Sequence, residues 1–84
     1  MNTQKEIEEY IKLLISKEIN TPVGEIDADE PFMHFGIDSM RAVAFLYALE
    51  KQYSLELNPL MFWDYPTAAT LSKHLLQRIH EAKP

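Results

Sequence analysis

The chain contains no cysteine. Disulfides, thiolate metal sites and a cysteine nucleophile are therefore excluded, and any thiol chemistry needs sulfur from a cofactor. Basic residues are scarce, eight Lys and Arg against thirteen Asp and Glu, for a formal charge of −5. Nucleic acid is a poor partner for such a chain, because phosphate neutralisation needs clustered cations. Anionic membrane surfaces are disfavoured for the same reason. No apolar run approaches the ~18 residues that would span a bilayer. The start, Met1-Asn2-Thr3-Gln4-Lys5-Glu6, lacks the apolar region of a signal peptide, so the expected location is the cytoplasm. Glycine occurs twice and proline five times, too seldom for a turn-rich β-sandwich.

What is present fits one small helical domain. The 84 residues are 46% apolar, a globular fraction, and allow one modest core. A domain of this size is stable by roughly 4–12 kcal/mol. We expect a single monomeric domain over residues 1–84, folded from about 4 to 80. Thr3-Gln4-Lys5-Glu6 has the capping-box pattern, and Ile7, Tyr10, Ile11 and Leu14 behind it share a helical face. A first helix is predicted from about Gln4 to Lys17, stopped by Asn20-Thr21-Pro22-Val23-Gly24. A long loop follows, Asn20 to Asp38, which Ile26, Phe32 and Phe35 can pin by burial. Its acidic residues Glu25, Asp27, Asp29 and Glu30 lack the spacing of a calcium loop.

A second helix is predicted from Ser39 to Tyr53, with Asp38 as its cap. It is apolar almost all round. Ala42, Phe45, Leu46, Leu49 and Tyr53 form one broad face, assigned to the core. Met40, Val43, Ala44 and Tyr47 then point outward beside Ser39 and form a candidate docking face, with Glu50 and the acidic loop supplying charge at its rim. Asn58 to Asp64 reads as a short third helix with Pro59 at its first helical position. Thr67 caps a fourth, from about Ala68 to Ile79, whose core stripe is Leu71, Leu75 and Ile79, helped by Ala68 and Leu76. Glu81 to Pro84 is expected to fray. The fold class is all-α, a four-helix bundle with a long first connection and a short third helix.

The segment Gly36-Ile37-Asp38-Ser39-Met40 places a serine hydroxyl at the positive end of a helix dipole, a position suited to a phosphate-linked group. Taken alone, Gly36 reads equally as a turn residue, and Asp38 and Ser39 as ordinary caps. A hydrolase reading would pair Ser39 with His34, but Met40 and Arg41 follow the serine where a nucleophile elbow needs Gly-x-Ser-x-Gly. His74 and His80, six apart on a helix, point in different directions and make no metal site. Phe62, Trp63 and Tyr65 lack the basic groove that would make them a base-stacking surface.

Three helical segments with a long loop after the first, Gly36-Ile37-Asp38-Ser39 opening the second, and Asp64-Tyr65-Pro66-Thr67 opening the last resemble the acyl carrier protein family. Phe32 and Phe35 before Gly36, Leu49-Glu50 in the second helix and Leu71 after Pro66-Thr67 also match, so the resemblance covers about Ile7 to Leu76. Trp63-Asp64-Tyr65-Pro66-Thr67 is most similar to carrier domains of polyketide synthases, with Trp63 where Phe is usual. Asp38 before Ser39 favours an acyl over a peptidyl carrier, where His-Ser is frequent.

The resemblance implies that Ser39 is the attachment point for 4′-phosphopantetheine, transferred from coenzyme A by a phosphopantetheinyl transferase. It implies that Asp38 helps that transferase hold magnesium. The arm's thiol would carry acyl intermediates of polyketide or related fatty acid biosynthesis as thioesters, presented to ketosynthases, acyltransferases and tailoring enzymes. The chain itself would be a carrier, without catalytic or metal-binding residues of its own. Met40 stands where the family has Leu, Arg41 where some fatty-acid carriers are acidic, and Ala44 where Glu is common, so the docking face is less acidic and more apolar than in those relatives. The readings from other classes are an unmodified helical interaction module and, within the carriers, a peptidyl carrier of nonribosomal peptide synthesis.

Overall fold

The computed structural model describes residues 3–82. Four helices follow in order: α1 (Gln4–Ile19), α2 (Ser39–Tyr53), α3 (Met61–Asp64) and α4 (Ala68–Ala82). No strand occurs among the described residues, and no helix there is long and apolar enough to cross a membrane.

The capping box at Thr3 forms as expected. Its hydroxyl accepts the Glu6 N–H, and its own N–H donates to the Glu6 carboxylate, both at 3.1 Å. Helix α1 runs two residues past the expected end because Asn20 adopts the left-handed conformation (φ 56°) and closes it, donating its N–H to the Ser16 carbonyl. The buried stripe is Ile7, Ile11 and Ile15, while Tyr10 and Leu14 sit half-buried at its edge. The expected face was thus centred slightly off. Spacing by four along three isoleucines sets the seam, and Tyr10 remains at the edge, where its ring meets Tyr53 of α2 edge-on at 5.9 Å.

Helix α1 packs chiefly against α4. From α4 come Ala68, Leu71, Leu75 and Ile79, all buried, with Leu76 half-buried. Ser72 is also fully buried, and its hydroxyl is satisfied by donating to the Ala69 carbonyl at 2.9 Å. The helix extends past the expected end, so Glu81 is helical; Lys83 and Pro84 lie outside the described residues.

The long connection is ordered by two 3-10 turns, Val23–Glu25 and Phe32–Phe35, and by burial of Ile26, Phe32 and Ile37. Phe35 is half-buried. Phe32 reaches α2 and α3 together, with ring centroids 5.3 Å from Phe45 and 5.0 Å from Phe62. Backbone bonds tie this loop to the start of α4. The Phe32 N–H donates to the Pro66 carbonyl at 2.8 Å, and the Ala69 N–H donates to the Ala28 carbonyl at 2.9 Å. Ala69 lies in the first turn of α4, where a helix has donors without internal partners, so the loop completes the helix end.

Thr67 caps α4, accepting the Thr70 N–H at 3.1 Å. Regular helix begins at Met61 rather than near Pro59, which corrects the expected start of α3. The Asn58 side chain accepts the Leu60 N–H at 2.8 Å and holds residues 58–60 as a turn. Leu57, Met61 and Phe62 then enter the core.

Candidate functional site

The chain approaches α2 through a sharp reversal. Gly36 has φ of 79°, a left-handed conformation that glycine adopts without a Cβ penalty, and its N–H bonds to the Met33 carbonyl at 3.0 Å. Ile37 follows, with no exposed surface. This anchor in the core turns Asp38 and Ser39 outward, and both are exposed. Asp38 is extended, and its Oδ1 accepts the Arg41 N–H at 3.0 Å, the expected helix cap. Ser39 is the first residue of a 15-residue helix, so its hydroxyl stands in solvent where the helix dipole favours negative charge.

Along α2 the two faces separate as expected. Ala42, Phe45, Leu46 and Leu49 are buried and Tyr53 is half-buried. Burial pushes the Tyr53 phenol up to about 12, with the neighbouring Tyr10 and Glu6 adding to the effect. On the opposite side Met40 is 83% exposed, Val43 56% and Tyr47 58%, and Ala44 is exposed with them. The Lys51 ammonium lies 5.3 Å from the Tyr47 ring centroid.

Two residues on this helix have partners that the sequence did not disclose. Glu50 is half-buried, and its Oε2 accepts the Leu57 N–H at 2.8 Å, so the carboxylate read as a rim charge also pins the turn after α2. Arg41 reaches α1, with its guanidinium 3.4 Å from the Glu18 carboxylate.

Grooves flank the exposed ridge of α2. One, of about 450 Å³, lies toward α1 and is floored by Leu14, Ala44, Phe45 and Ala48, with Lys17, Glu18 and Arg41 among its lining. The other, of about 470 Å³, lies toward the turn before α3 and is lined by Val43, Leu46, Tyr47, Leu57 and Pro59, with Glu50. Met40 borders both. The α1 contribution, Leu14 and Lys17, escaped the sequence reading. Only the pairing of α1 with α2 brings it there.

The histidines fall elsewhere. His34 is exposed, with Nδ1 3.8 Å from the Glu30 carboxylate. His74 stacks on Tyr65, centroids 4.1 Å apart and planes at 12°. Burial lowers the His74 pKa, and the Arg78 charge lowers it further against the opposing pull of Glu81 and Asp64. His80 is exposed. No cluster of three potential metal ligands occurs among the described residues. Of the three aromatics near α3, Phe62 is buried, Tyr65 half-buried and Trp63 52% exposed.

The arrangement can therefore present a hydroxyl at a helix N-terminus, next to an apolar ridge. Solved structures with this architecture include a free-standing peptidyl carrier protein from Acinetobacter baumannii, 33% identical, with TM-score 0.85 over 90% of this chain and 95% of that one. The HMG-ACPI domain of the CurA module from Lyngbya majuscula is 28% identical, with TM-score 0.85 over 94% of this chain and 80% of that one. Among sequences, a phenolphthiocerol/phthiocerol polyketide synthase of Mycobacterium tuberculosis is 30% identical over 90% of this chain. Polyketide synthase PksM of Bacillus subtilis is 32% identical over 88%. The chain spans only 4% and 2% of those two proteins' lengths. Residues 9–75 match the model of the phosphopantetheine attachment site. The chain belongs to the phosphopantetheine attachment site family, carrier domains whose cofactor is covalently held 4′-phosphopantetheine.

Proposed function

We propose that this chain is a single monomeric acyl carrier domain of the polyketide-synthase kind, working in the cytoplasm. It holds acyl groups as thioesters on a 4′-phosphopantetheine arm attached to Ser39 Oγ and passes them between synthase enzymes. The observation that carries this reading is the exposed Ser39 hydroxyl at the start of α2. A phosphodiester there lies beside helix N–H groups and the positive end of the dipole, so the residues fit the group. When bound, the arm supplies the thiol that this cysteine-free chain lacks.

Attachment is work for a separate phosphopantetheinyl transferase. The Ser39 Oγ–phosphorus bond forms as the pyrophosphate bond of coenzyme A breaks. The nucleotide bisphosphate leaves, and the serine proton passes to a base on the transferase. Asp38 has two duties in this scheme. Its Oδ1 caps α2, and its exposed carboxylate faces the magnesium that the transferase brings. The chain is substrate and shuttle, and catalyses no step itself.

Ketosynthases, acyltransferases and tailoring enzymes then dock on Met40, Val43, Ala44 and Tyr47, with Glu50 at the rim. The apolar character of that ridge calls for an apolar patch on the partner. The polyketide assignment draws on the sequence relatives and on Asp38 before Ser39. The likeness to a peptidyl carrier supports a second reading, in which the cargo is an aminoacyl group. Incubation with coenzyme A and a phosphopantetheinyl transferase tests the proposal: the chain gains one phosphopantetheinyl mass, and Ser39→Ala gains none. The mass of the cargo on protein from its native host separates acyl from aminoacyl.

A further inference from the structure

The two grooves beside Ser39 differ in charge. Helices α1 and α2 run antiparallel where they meet, since Glu18 near the end of α1 touches Arg41 at the start of α2, and Tyr10 in mid-α1 touches Tyr53 at the end of α2. The α1-side groove is therefore graded. At the Ser39 end the lining holds two cations, Lys17 and Arg41, with Glu18 paired to Arg41 and the Asp38 carboxylate capping the helix just beside them. Farther along are Leu14, Phe45 and Ala48, an apolar end. Among the residues lining the groove on the other side only Glu50 is charged, and it sits about three helical turns from Ser39.

A phosphopantetheine arm is graded the same way. It begins with a phosphodiester anion at the serine, continues through a gem-dimethyl carbon and two amides, and ends in a neutral thiol. Laid in the α1-side groove, its anion meets the Lys17 and Arg41 cations and its dimethyl carbon meets Met40 and Ala44. The groove beside Glu50 is lined by no Lys or Arg, so it offers the phosphodiester no cation. Ala48 lies nine residues beyond Ser39, about 14 Å along the axis, within reach of an arm of two amide units.

We infer that, between partners, the arm on Ser39 rests in the groove between α1 and α2, its phosphodiester held by Arg41 and Lys17. This inference rests on Ser39 bearing the arm. The phosphodiester competes with Glu18 for the Arg41 guanidinium, so loading loosens the Arg41–Glu18 pair. Both are exposed, which keeps the exchange low in cost and the arm free to leave for an enzyme.

The test compares nuclear magnetic resonance spectra of the unloaded and the phosphopantetheine-loaded protein, with loading established separately by intact mass. Loading is expected to shift the Lys17, Ala44 and Ala48 amides and the Leu14 methyls. In the Lys17→Gln/Arg41→Gln variant, loaded to the same mass, those shifts shrink by roughly twofold or more, the effect of removing exposed charge pairs. Glu18→Gln, which frees Arg41, enlarges them. Shifts confined to residues 37–41, shifts on Val43, Tyr47 and Leu57 instead, or shifts that the charge variants leave unchanged would overturn the assignment. A protein that gains no mass on Ser39 refutes the carrier reading itself, and the arm's seat with it.

Discussion

The Phe32 ring stacks on the Phe62 ring, with centroids 5.0 Å apart and planes 21° from parallel. Phe32 lies in the long connection and Phe62 in α3, so two segments with little regular structure hold each other in place against Phe45 of α2. Both rings are almost fully buried. Phe32→Ala is expected to cost about 3–5 kcal/mol, the usual loss for a buried phenylalanine. That is a large share of the roughly 4–12 kcal/mol available to a domain of this length. Urea unfolding followed by circular dichroism measures it, and a loss under about 1 kcal/mol would contradict the assigned role.

Asp38 separates structure from loading. Asparagine caps helices as well as aspartate does, so Asp38→Asn leaves stability within a few tenths of a kcal/mol, while Asp38→Ala loses about 1 kcal/mol. Both remove the carboxylate that the proposed function sets against the transferase's magnesium. Both therefore slow phosphopantetheine transfer by roughly tenfold or more, the scale at which groups around a metal are felt. Thermal unfolding and a timed loading assay on the same pair of variants give the two readouts. Normal loading of Asp38→Asn would remove the magnesium role.

Partial burial of His74 makes stability depend on pH. His74 releases its proton more readily in the fold than an ordinary histidine at 6.5, first because of burial and then because of Arg78. The unfolded chain thus binds the proton first as pH falls. The stabilisation is fully present above about pH 6.5 and is lost as the pH drops through the folded value. Histidine resonances should show a His74 midpoint below 6.5, and His74→Gln should flatten the corresponding fall in unfolding free energy. A midpoint at or above 6.5 would contradict the half-buried placement of His74 beside Arg78.

Local chemistry was readable from the residues, and distant pairing was not. The cap at Asp38, the capping box at Thr3 and the reversal at Gly36 each depend on atoms within three residues, so their sequence patterns sufficed. The outward face of α2 followed from helical periodicity, because the opposite face had enough apolar residues to fill the core. Ile37 was missed as an anchor because one isoleucine between Gly36 and Asp38 has no periodicity to betray it. The sequence shows Glu50 only as a rim charge, because its partner is a backbone N–H seven residues away, across a turn whose shape only the fold decides. The groove beside α1 was hidden for the same reason: Leu14 and Lys17 join Ala44 and Ala48 only when α1 and α2 are laid side by side.

The docking ridge predicts a partner contact driven by apolar burial. Tyr47→Ala should weaken binding to a cognate ketosynthase or acyltransferase by roughly 1–2 kcal/mol, and Val43→Asp by at least as much, since it places a charge in a desolvated contact. Both side chains are more than half exposed in the free domain, so circular dichroism and melting temperature should hardly change. Titration calorimetry with the loaded carrier checks this, and unchanged affinity in both variants would refute the ridge as the docking site.

The central claim is that one exposed hydroxyl at the start of α2 takes the arm. Digestion of the loaded protein with trypsin releases residues 18–41 as one peptide, between Lys17 and Arg41, in which Ser39 is the only serine. Fragmentation of that peptide is the most direct measurement. The account predicts a single phosphopantetheinyl mass on Ser39 and none elsewhere in the chain. A peptide that stays unmodified after exposure to coenzyme A and transferase, or an arm placed on Thr21 or outside residues 18–41, would contradict it.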